Sequence, residues 1–200
     1  NASINESVIS IGNNPFVGCD NLKNIICKSK MFLLQDGILY SHGAEKIISC
    51  ALNDSVVFDI PNSVVEIGNS SFRGNESLRR VTIPKSVKHI GAYAFSGCKN
   101  LNQVVISHSV TTIGNGAFEW CENLEQKVIP DSVVSIGRGV FCWCNNLRQV
   151  YLPNSIQEIG YDSFDGCNLR IVIPQGTRGK FEQILPSDWH DYLIESQYNY

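Results

Sequence analysis

The sequence predicts a β-rich solenoid, a chain wound into stacked coils, and three observations carry that expectation. Phe72, Phe95, Phe118, Phe141 and Phe164 stand 23 residues apart without a slip. Glycine, serine and isoleucine keep the same step, from Gly68 to Gly160, Ser63 to Ser155 and Ile67 to Ile159. Within each step, a strand-like alternation runs into proline and then into glycine turn signals. A fixed period of this size means one supersecondary unit per period, stacked because no unit can bury its apolar edge alone.

A first copy runs from Ile4 to Cys27, with Gly12, Phe16 and Cys19 in their places. The step is then interrupted. Phe32-Leu33-Leu34 leads into Gly37-Ile38-Leu39-Tyr40-Ser41, turn residues follow at 42–45, and Lys46-Ile47-Ile48-Ser49-Cys50 reads as a returning strand. This predicts a β-hairpin inserted at about 28–59. Phe58 and Ile60 rejoin the ladder, 23 residues before Val81 and Ile83.

One later unit, IPKSVKHIGAYAFSGCKNLNQVV, spans Ile83 to Val105. Val81 and Ile83 alternate with Arg80 and Thr82 at period two, the mark of a strand with one buried face. Pro84 lacks a donor and ends that strand. Val87 and Ile90 point inward along a second extended segment, and Gly91 permits a bend. Ala92-Tyr93-Ala94-Phe95 suits one short helical turn that drives Phe95 into the core. After the last unit, Phe181, Ile184 and Leu185 are spaced for a helix, and Trp189, Tyr192 and Leu193 continue beyond Pro186. They predict one or two short helices capping the apolar end. No comparable cap is legible at the N-terminus, so upstream sequence or a partner is expected to cover it. The whole reads as one elongated domain over 1–200, with repeats at about 4–27 and 60–174, the hairpin at 28–59 and the cap at 175–200.

Composition narrows function. The chain is 43% hydrophobic with a net charge of −3, and no basic run or basic helix face points to nucleic acid. No apolar stretch approaches the roughly 20 residues of a membrane span. Of the eight cysteines, Cys19, Cys98, Cys121, Cys144 and Cys167 hold one repeat position. Stacked neighbours would have parallel Cβ vectors, unsuited to a disulfide, and Asn75 fills the same position. The column therefore reads as small, reduced, buried side chains bonded weakly to turn backbone. Lys127 breaks the pattern, standing where the sister coils carry Val104 and Val150. Either the strand shifts locally or the ammonium snorkels outward.

The unit IPxSVxxIGxxAFxGCxxLxxVxIP resembles the BspA-like (Treponema-type) leucine-rich repeat over residues 4–27 and 60–174. Asp36-Gly37-Ile38-Leu39-Tyr40 is similar to an insertion of that family, and 173–186 to its closing segment. The resemblance implies a right-handed leucine-rich-repeat coil with a parallel concave sheet. It also implies a cell-surface or secreted protein, of anaerobic bacteria or of some protozoa, used in adhesion and protein recognition.

No catalytic, metal or cofactor set is expected. Cys142-Trp143-Cys144 with Cys121 lacks zinc-pair spacing, and Asp131, Asp162 and Asp165 sit on turns without an evident pocket. A repeated serine column reads as backbone capping. The candidate partner-binding residues lie on the concave face and one edge. One outward column contains Arg80, Gln103, Gln126 and Gln149; the next contains Thr82, Val105, Val128 and Tyr151. Stacked glutamines can simply share amide bonds along the ladder, or the two columns can floor a groove. Trp120 and Trp143 replace the glycine found at 74, 97 and 166. Their rings either lie flat on the turn over the cysteines or anchor a partner. The expected partner is a protein, such as a host or extracellular-matrix protein. The alternative is a structural spacer in a longer solenoid, with no ligand of its own.

Overall fold

The structure, a computed structural model, describes residues 1–19, 21–51 and 55–197, and of residues 126–128 only the backbone. In chain order, β1 (Ala2–Ile4) and β2 (Ile25–Cys27) belong to the first copy. The insertion forms β3 (Phe32–Gln35), β4 (Ile38–Ser41) and β5 (Lys46–Ser49). Each later coil supplies a longer strand followed by a short one. These are β6 (Val57–Asp59) and β7 (Glu66–Ile67), β8 (Arg80–Ile83) and β9 (His89–Ile90), and β10 (Gln103–Ile106) and β11 (Thr112–Ile113). They continue as β12 (Gln126–Val128) and β13 (Ser135–Ile136), then β14 (Gln149–Tyr151) and β15 (Glu158–Ile159). The chain closes with β16 (Arg170–Pro174), α1 (Arg178–Ile184) and β17 (Leu193–Ser196).

The 23-residue step is the pairing register. Arg80 faces Gln103 and Ile83 faces Ile106 in parallel; His89 faces Thr112, and Ser135 faces Glu158. The solenoid expected from the sequence is the fold observed. Its longer strands fall into two ladders, β6–β8–β10 and β12–β14–β16–β17. The division lies at the coil carrying Lys127, which pairs with Val150. Val104 and Ile106, just before it, are 9% and 8% exposed, whereas Val81 and Val150 are fully buried. The Lys127 side chain itself lies outside the described residues. Across the same boundary the Asn123 amide still donates to the Lys99 carbonyl at 3.1 Å.

The segment expected to be a short helical turn is instead a chain of tight turns. Ala94, Ser96 and Cys98 amides bond three residues back, to Gly91, Tyr93 and Phe95 carbonyls. The alternate amides of Tyr93, Phe95 and Gly97 donate to Asn115, Ala117 and Glu119 carbonyls of the next coil, at 2.7–2.8 Å. A helix would spend every amide within one coil. Alternation lets half of them stitch coils together, and positive φ at Tyr93 (56°) and Gly97 (72°) makes it possible.

Inside, the phenylalanines form one spine. Phe95 and Phe118 stack with centroids 5.4 Å apart and planes 2° apart, and Phe118–Phe141 and Phe141–Phe164 continue at 5.7 and 6.0 Å. Three members of the serine column cap backbone as expected: Ser109, Ser132 and Ser155 hydroxyls donate to the Val87, Val110 and Val133 carbonyls, whereas the buried Ser86 hydroxyl makes no such bond.

The insertion is a three-stranded meander rather than a single hairpin. Asp36 and Gly37, with φ of 50° and 76°, make the two-residue turn joining β3 to β4, as Asp-Gly favours. The sequence pattern did not mark β3 as a strand. The meander then runs into the short-strand sheet, because β5 pairs in parallel with β7. Ile38, Tyr40 and Ile47 face the main core. Leu39 and Ile48 face a second, smaller core with Ile4 and Ile25 of the first copy. The insertion is thus a wall between two cores, not a protruding arm.

The C-terminal cap contains the expected helix, α1, whose Phe181 is fully buried. Residues 187–192 form a 3-10 segment, and Trp189 meets Phe164 edge-on at 5.5 Å. Leu193 does not continue the helical pattern; it begins β17, which pairs in parallel with β16. An open strand edge is a liability that the cap must cover as well as the apolar end.

Candidate recognition surfaces

Within each ladder the outward columns come together as read from the sequence, but among the described residues no pairing joins β10 to β12, so both columns are interrupted there. Arg80 pairs with Gln103 and Thr82 with Val105; Gln126 pairs with Gln149 and Val128 with Tyr151. Arg80 and Gln103 are exposed, Val105 is 40% exposed, and Thr82, Gln149 and Tyr151 are half-buried. The side chains of Gln126 and Val128 lie outside the described residues. Val172, aligned with Tyr151, is buried because β17 places Ile194 opposite it. The face therefore ends at Tyr151 on that column.

The cysteine column is structural. Cys98, Cys121, Cys144 and Cys167 thiols donate to the Phe72, Phe95, Phe118 and Phe141 carbonyls at 3.0–3.2 Å. Burial pushes the Cys98, Cys121 and Cys144 thiols well up and that of Cys167 to about 12, so none is a ready thiolate. Cys19 departs from the column and is exposed. Asn75, in the same column, caps the turn through Oδ1, which accepts from the Ser77 and Leu78 amides. Among the described residues no group of three or more His, Cys, Asp or Glu is placed to hold a metal.

Trp120 and Trp143 stand on the turn edge, both with φ of 59°. Their rings are stacked, with centroids 5.2 Å apart and planes 12° apart, and they remain 41% and 45% exposed. The Trp143 ring packs over Gly166, and Tyr93 packs over Gly116 in the same manner. Sequence reasoning singled out the tryptophans and set Cys142, Asp162 and Asp165 aside as residues without a site, and it did not name Glu119 or Arg138. Glu119, Asp162, Asp165 and Arg138 surround Cys142, and with burial the three carboxylates push its thiol up to about 11. Arg138 also covers the Tyr161 ring at 4.2 Å. These residues sit in columns of mixed type, so no repeat signal marks them.

The chain matches the family described as the BspA type leucine rich repeat region, in six copies over residues 1–57 and 50–170. It belongs to that family. This BspA-type repeat protein is similar in structure to a leucine rich cell surface protein from Faecalibacterium prausnitzii. That likeness has a TM-score of 0.84 and 28% identity, and covers 92% of this chain and 50% of that one. The T. pallidum leucine rich repeat protein is 32% identical over 72% of this chain and 69% of its own, with a TM-score of 0.62. The pneumococcal vaccine antigen PcpA shares the fold at a TM-score of 0.77 and 17% identity, over 98% of this chain and 56% of that one. The chain thus spans half the length of the Faecalibacterium structure. No curated protein matches it. Proteins of this type are commonly surface proteins and typically non-catalytic.

Proposed function

We propose that this chain is a non-catalytic protein-recognition module of a bacterial surface or secreted protein, binding a host or extracellular-matrix protein through the face of its longer strands. The observation that carries the reading is the uncovered strip on that face. Val105 lies 40% exposed beside Thr82 on one ladder, and half-buried Tyr151 lies on the other, with Arg80, Gln103 and Gln149 in the adjacent outward column. An apolar strip with a polar rim is the anatomy of an interface core, and solenoid faces serve as extended binding surfaces. The Faecalibacterium relative is a cell surface protein, which supports the location. No helix among the described residues is long and apolar enough to cross a membrane.

The test is capture of soluble extracellular-matrix proteins by the immobilised chain, compared with Val105→Asp and Tyr151→Asp. Loss of capture with an unchanged circular-dichroism spectrum supports the strand face. Undiminished capture by both variants eliminates it. No capture by the wild-type chain favours a spacer role instead.

A further inference from the structure

Glycine occupies the Trp120 and Trp143 turn position at 74, 97 and 166. The coils therefore wind without an indole there, and φ of 59° is a conformation that side-chain-bearing residues adopt at a cost. The stacked rings shield each other yet leave nearly half their surface wet. The neighbouring column runs Ser96, Glu119, Cys142, Asp165. Backbone bonds lock this edge together: the Trp120 amide donates to the Cys142 carbonyl at 2.9 Å and the Trp143 amide to the Asp165 carbonyl at 2.7 Å. Glu119 and Asp165 therefore flank the indoles along the axis. Glu119 accepts from the Ser96 hydroxyl at 3.4 Å. Asp162 is held by Arg138 at 3.0 Å. Among the described residues neither Glu119 nor Asp165 has an ion-pair partner.

We propose that the Trp120–Trp143 edge, flanked by Glu119 and Asp165, docks an arginine- or lysine-bearing segment of a protein partner. An indole attracts a cation to its ring face; Trp143 lies between Trp120 and Gly166, so the face concerned is that of Trp120, and a carboxylate beside it supplies a charge-assisted hydrogen bond. Three carboxylates against one guanidinium leave the edge acidic, which selects a basic occupant. A neutral sugar would also stack on an indole, but it leaves the acidic flank without a role. The proposal rests on the reading of the chain as a protein-recognition module, yet it uses the turn edge rather than the strand face.

The experiment titrates a tetra-arginine peptide into the full chain, followed by tryptophan fluorescence and calorimetry. Trp120→Gly with Trp143→Gly restores the residue of the sister coils, and a melting curve checks that this variant folds. It should weaken peptide binding about tenfold or more, the scale of lost interface anchors. Glu119→Gln with Asp165→Asn should also weaken binding, and wild-type binding should fall as salt rises. Tyr151→Asp, on the strand face, should retain the peptide, so the two surfaces fail separately. Absence of peptide binding, equal affinity in the tryptophan variant, or salt-independent binding of a neutral oligosaccharide in place of the peptide overturns the proposal.

Discussion

Trp143 lies directly over Gly166: a Cβ added at Gly166 would stand 2.6 Å from Cε3 and 2.7 Å from Cδ2 of the indole. Gly166 also has φ of 73°. Glycine is required there twice, by conformation and by the ring above it. Gly166→Ala should cost about 2 kcal/mol or more, combining left-handed strain with a clash. In a Trp143→Gly background the clash is gone and only the strain remains. Urea unfolding of the two single variants and the double variant checks this; additive costs would show that the ring does not press on the glycine.

Asn14 joins the first copy to the main body. Its Oδ1 accepts from the Ser49 hydroxyl at 2.5 Å and its Nδ2 donates to the Ser70 carbonyl at 2.6 Å. Asn14→Ala leaves the buried Ser49 hydroxyl without that bond, at about 1–3 kcal/mol, while the half-buried Ser70 carbonyl keeps the Arg73 amide. Because Ile4 and Ile25 belong to the smaller core, the loss should be local. Hydrogen exchange should speed up over residues 1–28 while the amides around Phe95 and Phe118 stay protected. Uniform acceleration along the chain would contradict the two-core account.

The buried acids set a pH dependence. Burial raises Cys167 from 9.0 to about 12 and Tyr40 from 10.0 to about 12. Above pH 9 the unfolded chain releases these protons while the folded chain keeps them, so folding stability falls as pH rises from there toward 12. Melting temperatures under reducing conditions should therefore decline between pH 9 and 11. Thiol labelling at pH 8 should modify exposed Cys19 first and spare Cys98, Cys121 and Cys144 until the chain unfolds. Labelling of those three in the native state would contradict the structural role of the column.

The repeat made much of this legible. A phenylalanine every 23 residues specifies parallel register, because shifting any coil would break the spine and the serine caps together. The outward columns, from Arg80 to Tyr151, follow from the same arithmetic. What escaped was whatever lies outside the period. β3 alternates too briefly to stand out from a lead-in. Leu193 fits a helical spacing as well as it fits β17, and only the open edge of β16 decides. The turns after Gly91 resemble a helix in composition, but their alternate amides are claimed by the next coil. Glu119 and Asp165 gain meaning only once the coils bring them beside the tryptophans.

The most direct test of the stacked-coil account is a pair of double-mutant cycles on the spine, measured by urea unfolding. Phe95→Leu and Phe118→Leu involve rings in contact at 5.4 Å, and should couple by about 0.5–1.5 kcal/mol. Phe72→Leu and Phe141→Leu, three coils apart, should add within about 0.5 kcal/mol. Coupling between the distant pair that equals or exceeds coupling between the adjacent pair would contradict a chain wound in register around one aromatic axis.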